Sequence, residues 1–526
     1  MGEGKGNSVA KAAGIIMIAM LFSRILGYAR DVVIYSKFDM NRATDAYYAA
    51  FAIPDFLSLL LMGGAFSAAF IPVFTNYIAT GRQDEGWEVA SIIFNIVVVF
   101  LLVGIGLGLI FTPYLIPLVA IGFRGEPETM ALTIKMARIM FAQAFFISLA
   151  GIMVGILNSY KKFTAPAIAG VMYNAGIIVV GLLLVNRFGI VGFAIGVVIG
   201  AVLNFSIQLP AVLRLGWKYT FSFNWRHPGV KKVALLMAPM LIGLAVSQIN
   251  LIVNQNLAST LPEGLVSALR AAQRIMQLPI GIFAVAIAIA VFPTLTEQAA
   301  RKEVDTFKNT MNLGIRTVVF VTLPAAVGLM VLGIPIVRLL FQWGNFSLEA
   351  TLSTAYALFF YGFGITAYSV NQVLNRTFYA LEDTATPVKI AMTTIALNFG
   401  LNLLLIKYLA HGGLALAYSI AGIYSMMALL FFLRKKMGSI GGGKLVNSFL
   451  KSGMATLVMG LAAHGVSIYL EQLLDVSMKI NQLIQVSIGI GIAVLIYFGL
   501  TSFILKMEET ELMKNMLKRR FARHRG

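Results

Sequence analysis

Apolar residues run along this chain in stretches too long for the alternation of a half-buried strand or the single stripe of a surface helix. Between polar breaks the stretches fall at 9–36, 44–77, 86–118, 129–158, 164–185, 188–214, 232–258, 264–297, 306–341, 348–379, 386–408, 412–434, 447–472 and 480–506. Each meets the roughly 20 residues a helix needs to cross a hydrocarbon core. Lipid offers no partner for a free backbone group, so the spanning segments are expected to be helices. Fourteen transmembrane helices are predicted, the longest of them tilted or interrupted by interfacial turns. The first is expected to be retained, because its apolar core runs into Arg24 and Arg30 with no small-residue cleavage site.

Composition strengthens this picture and narrows the chemistry. Hydrophobic residues make up 59% and charged residues 12%, against roughly 45–50% and 25% in an ordinary soluble domain. No region is left for a soluble catalytic domain. The absence of cysteine removes disulfides, thiol nucleophiles and thiolate metal sites together. The histidines, His227, His411, His464 and His524, show no ligand spacing. No catalytic residue, metal or cofactor is expected.

The net charge of +19 changes meaning once its placement is followed. Basic residues cluster between alternate spans: Arg82; Lys161 and Lys162; Arg214, Lys218, Arg226, Lys231 and Lys232; Arg301, Lys302 and Lys308; Arg434, Lys435, Lys436 and Lys444. The tail adds Lys514, Lys518, Arg519, Arg520, Arg523 and Arg525. The positive-inside rule then places both termini in the cytoplasm, as an even number of spans requires. The tail is expected on anionic headgroups rather than on nucleic acid.

The chain also resembles itself. Ala69-Phe70-Ile71-Pro72-Val73-Phe74-Thr75 in span two is similar to Ala290-Val291-Phe292-Pro293-Thr294-Leu295-Thr296 in span eight. Leu157-Asn158 before Pro166 matches Leu374-Asn375 before Pro387, and Arg214 matches Arg434. Nearly the same length of chain separates the two members of every pair. An even-numbered unit inserts the same way up each time, so spans one to six and seven to twelve are expected to be parallel repeats with pseudo-twofold symmetry. The expected domains are an N-lobe at 1–220, a C-lobe at 221–440, spans thirteen and fourteen at 441–507, and a basic tail at 508–526.

The informative residues are charges inside spans. Arg24, Arg30 and Asp31 lie in span one, Asp45 and Asp55 in span two, Lys135 and Arg138 in span four, Arg270 and Arg274 in span eight. An arginine at mid-membrane depth costs about 2.5–3.5 kcal/mol on insertion scales, so it is expected to face a cavity or a partner. Arg24 and Arg30 stand about 120° apart on a helix, Arg30 and the adjacent Asp31 diverge, and Arg270 and Arg274 share a face. Both lobes are thus expected to aim guanidinium forks at one central cavity, a chemistry suited to phosphate or pyrophosphate. A plainer reading stands beside it: Arg30 and Asp31 as a snorkel and a structural pair, Asp45 as a helix cap, Lys135 and Arg138 as interfacial charges. Gly192, Gly196 and Gly200 form a small-residue stripe for helix packing. Asn254, Asn371 and Asn375, with Asn250, either bind a coupling cation or hydrogen-bond between helices.

Phe22-Ser23-Arg24-Ile25-Leu26-Gly27-Tyr28-Ala29-Arg30-Asp31, Ala43-Thr44-Asp45-Ala46-Tyr47 and Gly64-Ala65-Phe66-Ser67-Ala68-Ala69-Phe70-Ile71-Pro72 resemble the MurJ/MviN lipid II flippases. So do Ser247-Gln248-Ile249-Asn250, Gln273-Arg274-Ile275-Met276-Gln277-Leu278-Pro279-Ile280-Gly281-Ile282-Phe283 and Thr386-Pro387-Val388-Lys389. The resemblance runs over nearly the whole chain in order. It implies the multidrug/oligosaccharidyl-lipid/polysaccharide exporter fold, with the last two helices forming a lipid-tail groove. It further implies export of the undecaprenyl-pyrophosphate-linked peptidoglycan precursor, lipid II, across the bacterial cytoplasmic membrane by alternating access. Arg24, Arg30 and Arg274 match the family's functional arginines, with Ser23, Asp31 and Asp45 as further matches and Arg270 beside them. Membrane lipids and the cell-wall synthesis machinery follow as partners, and the membrane potential or a monovalent cation as the energy source. The chain departs from the family where Ser58 stands in place of an arginine, Gln273 in place of an acid, and Asn254 in place of an aspartate linked to sodium. Rival functions are flipping of another polyprenyl-linked saccharide and multidrug antiport. Antiport of cations calls for cavity carboxylates rather than arginines. A membrane enzyme would need clustered acids or histidines that the sequence lacks.

Overall fold

The computed structural model of the chain describes residues 3–62 and 65–511. Gly64 of the span-two motif and the basic residues of the tail, Lys514 to Arg525, lie outside the described residues. Every regular element among the described residues is a helix, and each of the fourteen predicted spans has a helical counterpart. The chain is an all-α polytopic membrane protein.

Span one is α1 (Glu3–Phe38). Span two is not one straight helix: α2 (Arg42–Ala50) gives way to α3 (Ala52–Met62), and beyond the two residues outside the described ones the span continues as α4 (Ala65–Ala79). Asn41 starts the first of these through a capping box with Thr44, satisfying backbone N–H groups that the first turn leaves over. Pro54 explains the break between α2 and α3: it has no N–H to return to the Ala50 carbonyl and crowds that oxygen, so the helix yields at Phe51. Spans three to seven are single helices, α5 (Gln83–Val119), α6 (Pro127–Ser159), α7 (Thr164–Phe188), α8 (Val191–Leu213) and α9 (Pro228–Ser259). Span eight is α10 (Leu265–Pro279), a π-helical turn at Ile280–Ala284, and α11 (Val285–Ala300). Pro279 again removes one N–H, and the backbone widens by one residue rather than breaking.

Span nine divides into α12 (Val304–Val331) and a short α13 (Gly333–Phe341), and span ten is α14 (Leu348–Ala380). Spans eleven and twelve run together as α15 (Ala385–Met437), folded back at Ala410 with φ 48° and ψ −128°. Span thirteen is α16 (Gly442–Leu473), and span fourteen is α17 (Lys479–Gly499) with a second π-turn at Leu500–Ile504.

The repeat is visible in the backbone. Left-handed residues close corresponding helices at Gly81 and Lys302, at Lys161 and Glu382, and at Gly189 and Ala410, all three pairs at one and the same separation along the chain. The expected glycine stripe packs α8 on α7: a side chain at Gly196 would lie 2.9 Å from the Ile177 carbonyl, and one at Gly200 2.5 Å from that of Tyr173.

Two compact units form. One holds Met1–Val266 with Trp343–Asn345, the other Ser267–Gln342 with Phe346–Gly526. The division falls after α9, one helix later than the repeat boundary, because α9 packs on α3, α4 and α5. The first unit has an aromatic ladder as its core, Phe66, Phe70 and Phe74 stacked at 5.0 Å spacings with Trp87 edge-on to Phe74. The second unit has separate cores around α11, α12 and α14 and around α12, α16 and α17.

Candidate functional site

In the first unit, α1 carries Ser23, Arg24, Arg30 and Asp31 along α7. Neighbours on a helix diverge by about 100°, yet Arg30 and Asp31 do meet. The long arginine stem bends round, and Nε and Nη2 donate to one carboxylate oxygen of Asp31 at 2.9 and 2.8 Å. Asp31 is 4% exposed, so the pair compensates a carboxylate that burial alone would penalise heavily. Arg30 Nη1 donates to the side-chain oxygen of Asn174 at 3.4 Å, and Asn174 Nδ2 donates to the Ser23 and Gly170 carbonyls. A guanidinium has five N–H donors, and three of those on Arg30 are engaged among the described residues. The remainder allow Arg30 to grip an anion while keeping its structural partner.

Ser23 packs against α7, where a side chain at Gly170 would come within 2.8 Å of its hydroxyl. Arg24 is exposed. Gln143, on α6, donates to Asp55 at 3.3 Å. Ser58 is 4% exposed and turns its hydroxyl to the Pro54 carbonyl at 2.7 Å, so it bonds its own helix.

Asp45 stands elsewhere in the same unit. Fully buried, it accepts from the Gly264 N–H at 2.8 Å and lies 3.7 Å from Arg42. Arg42 also pairs with Glu126 at 2.7 Å and donates to the Leu261 carbonyl at 3.1 Å, while its backbone N–H meets Glu263. These bonds tie the start of α2 to the start of α6 and to the turn that follows α9. Asn254 donates to the Asn250 carbonyl and side-chain oxygen within α9.

In the second unit, Arg270 and Arg274 share a face of α10 just before Pro279 and its π-turn. Arg270 is exposed and Arg274 half-buried. Asn371, 6% exposed, donates to the Gly422 carbonyl at 3.3 Å, a bond between α14 and α15. Asn375, one turn further along α14, is half-buried.

An apolar groove of about 460 Å³ runs beside the π-turn in the same unit, between Ile282 and Phe283, Pro324 and Leu332 of the ninth span, and Ala493 and Val494 of α17. The Tyr497 hydroxyl donates to the Phe320 carbonyl at 2.7 Å, which ties α17 to α12 at its wall. The outer helices thus frame a slot suited to a hydrocarbon chain.

Sequence reasoning misses Asn174, Gln143 and Arg42; polar amides inside apolar stretches are the available signal for the first two. It also passes over Arg316 of α12, which pairs with Glu508 and Glu509 at 2.9 and 2.7 Å. Burial pushes the Glu509 carboxyl up, but hydrogen bonds from Arg316 and Ser448 outweigh it and hold it below the usual range.

A family model described as lipid II flippase MurJ matches residues 35–484. The chain is 31% identical over 477 residues to the probable lipid II flippase MurJ of Buchnera aphidicola subsp. Acyrthosiphon pisum, covering 90% of this chain and 93% of that relative. It is 33% identical over 429 residues to the probable lipid II flippase MurJ of Vibrio cholerae, covering 80% and 82%. Among solved structures, a lipid II flippase MurJ in an inward closed conformation matches with a TM-score of 0.78 at 30% identity, over 93% of this chain and 99% of that one. An inward-facing multidrug resistance MATE family transporter of the MOP superfamily matches at 0.64 and 15% identity over 81% and 99%, a likeness of fold alone.

Proposed function

From the premise that this chain belongs to the lipid II flippase MurJ family, we propose that it carries lipid II from the inner to the outer leaflet of the bacterial cytoplasmic membrane. The observation that carries this reading is the family match across residues 35–484, nearly the whole helical body. The guanidinium groups of Arg24, Arg30, Arg270 and Arg274 are the ones proposed to meet the pyrophosphate. Planar guanidinium forks match phosphate oxygens two at a time, and low dielectric strengthens each such bond. The apolar slot beside the π-turn takes part of the polyprenyl chain, whose transfer out of lipid costs little where the walls are equally apolar. Asp31 tempers Arg30, so the anion is held firmly enough to enter and loosely enough to leave.

Transport is proposed to be of the secondary type, by alternating access, with both termini in the cytoplasm. The sequence has no phosphate-cradling P-loop for ATP. A charge moved across 100 mV changes its energy by about 2.3 kcal/mol, enough to give direction to an anionic cargo. The membrane potential or a monovalent cation is proposed as the energy source: Asn254 and Asn371 donate their amide hydrogens to neighbouring oxygens, and the Asn371 side-chain oxygen, the atom a cation would take, is buried without a hydrogen-bond partner among the described residues.

The test is rescue of a bacterium depleted of its own flippase. The wild-type chain is expected to restore growth and outer-leaflet lipid II, and Arg274→Ala to fail at equal membrane levels, with Arg274→Lys between them. A wild-type chain that inserts but rescues neither growth nor outer-leaflet lipid II overturns the reading. Equal rescue by Arg274→Ala overturns the proposed headgroup contact.

A further inference from the structure

The connection between α8 and α9 is the longest stretch between membrane helices in the described chain without regular structure, and its side chains alternate. Trp217, Tyr219, Phe221, Phe223 and Trp225 take the odd positions; Lys218, Thr220, Ser222, Asn224 and Arg226 take the even ones. Water would not favour such an arrangement. Tyr219 is 53% exposed, Phe221 76%, Phe223 43% and Trp225 64%.

The segment is fixed in place despite that exposure. Asn95 of α5 donates to the Thr220 and Ser222 carbonyls at 3.2 and 2.9 Å and accepts from the Tyr219 hydroxyl at 2.7 Å. Trp217 Nε1 and the Thr220 N–H both donate to the Ser91 hydroxyl. These bonds satisfy backbone groups at alternate residues, which holds the aromatic row as a ribbon along α5.

Its depth follows from α5 itself. The outward-facing apolar surface of that helix begins at Val99 and Phe100 and continues through Leu102 and Val103, all about half exposed. Asn95 lies four residues earlier, or about 6 Å along the axis. The ribbon therefore runs at the edge of the hydrocarbon, the level that indole and phenol rings favour. Its charge has one sign. From Arg214 to Lys232 the chain holds Arg214, Lys218, Arg226, Lys231 and Lys232 and no acidic residue. Lys218 is paired with Asp84 on α5 at 2.7 Å, and the Arg226 guanidinium lies over the Trp225 ring, 5.3 Å from its centre.

We propose that residues 217–226 form an interfacial ribbon that binds anionic phospholipid headgroups of the inner leaflet, aromatic rings in the acyl boundary and Arg226, Lys231 and Lys232 on the phosphates. The assignment to the inner leaflet rests on the proposed topology. Because the chain has no cysteine, single labels can be placed without further change.

Phe221→Cys and Asn224→Cys, each carrying a nitroxide, are reconstituted in vesicles of phosphatidylglycerol or of phosphatidylcholine. Phe221→Cys is expected to be relaxed by oxygen and shielded from a water-soluble nickel chelate, and Asn224→Cys the reverse. The shielding should be deeper in phosphatidylglycerol, and that difference should vanish in Arg226→Gln/Lys231→Gln/Lys232→Gln. Equal access of the chelate to both labels overturns the ribbon's insertion. Equal depth in the two lipids overturns its selection for anionic headgroups. Labelling of Asn224→Cys by an impermeant maleimide from outside the cell overturns the inner-leaflet placement and the topology with it, while the depth readings bear on the surface alone.

Discussion

Span two and span eight are repeat mates that bend in different ways. Both carry a proline late in the span, Pro72 and Pro293, and both end on a left-handed residue, Gly81 and Lys302, the second pair separated by the same length of chain as the first. Span two breaks between α2 and α3 with Pro54 near the break, whereas span eight stays continuous through a π-turn after Pro279. The charges within their apolar stretches also differ. Span two holds Asp45 and Asp55, whose counterparts at that separation are Val266 and Met276; span eight holds Arg270 and Arg274, whose counterparts are Ala49 and Ile53. The repeat thus governs where a span ends, and the chemistry belongs to each copy separately.

Four sets of substitutions probe this division of labour. The largest effect is expected at Arg30, which stands in span one beside the acids of span two. Arg30→Ala leaves Asp31 buried without its cation, a loss of about 3–5 kcal/mol, and should lower the detergent melting temperature and abolish rescue. Arg30→Ala/Asp31→Asn should recover most of the stability and none of the transport. If the double variant rescues a flippase-depleted strain, the pair is structural alone and the contrast between cationic and acidic spans loses its functional meaning.

Pro279→Ala comes next. Restoring one backbone N–H removes a helix-interior proline, whose cost is about 3 kcal/mol, so the melting temperature is expected to rise. Outer-leaflet lipid II should fall severalfold as the bend beside the apolar slot stiffens; unchanged transport would show that the π-turn is an accommodation and not a working part. In span two, Asn41→Ala should cost about 1 kcal/mol through loss of the capping box, read as a small fall in melting temperature with rescue intact. The smallest effects are expected at the paired turns. Lys302→Gly should stabilise and Gly81→Ala destabilise, each by about 1 kcal/mol, because only glycine adopts that backbone region freely. Shifts of the same sign would break the equivalence of the two turns.

The spans themselves are legible in the sequence because lipid imposes a single solution on every long apolar stretch. The break at Phe51 is not, since it depends on which carbonyl Pro54 crowds once a neighbouring cap has fixed the helix start. The arginines announce themselves by their cost at membrane depth, but their partners do not. Arg30 reaches its own neighbour Asp31 and also Asn174, 144 residues away, and Arg316 reaches Glu509, 193 residues away. Helix periodicity carries no information about such distant pairings. It also misjudges the Arg30–Asp31 neighbours, because angular divergence at the backbone says little about the reach of a long, flexible side chain. Asp45 stands out through the resemblance, but its burial against the Gly264 N–H is a contact that no local pattern encodes.

The fold-back at Ala410 has a consequence for biogenesis. Spans eleven and twelve are joined by a turn so tight that a side chain at Gly413 would collide with the Leu405 carbonyl, and the segment from Leu409 to Gly413 contains no lysine, arginine, aspartate or glutamate. Lys407 and His411 are the only strongly polar residues at the turn, so a nascent chain has little polar loop here to be threaded through the translocon between two separate insertion events. The 53 residues of α15 are therefore expected to enter the bilayer as one hairpin, an outcome that insertion assays on chains truncated after span eleven and after span twelve would check.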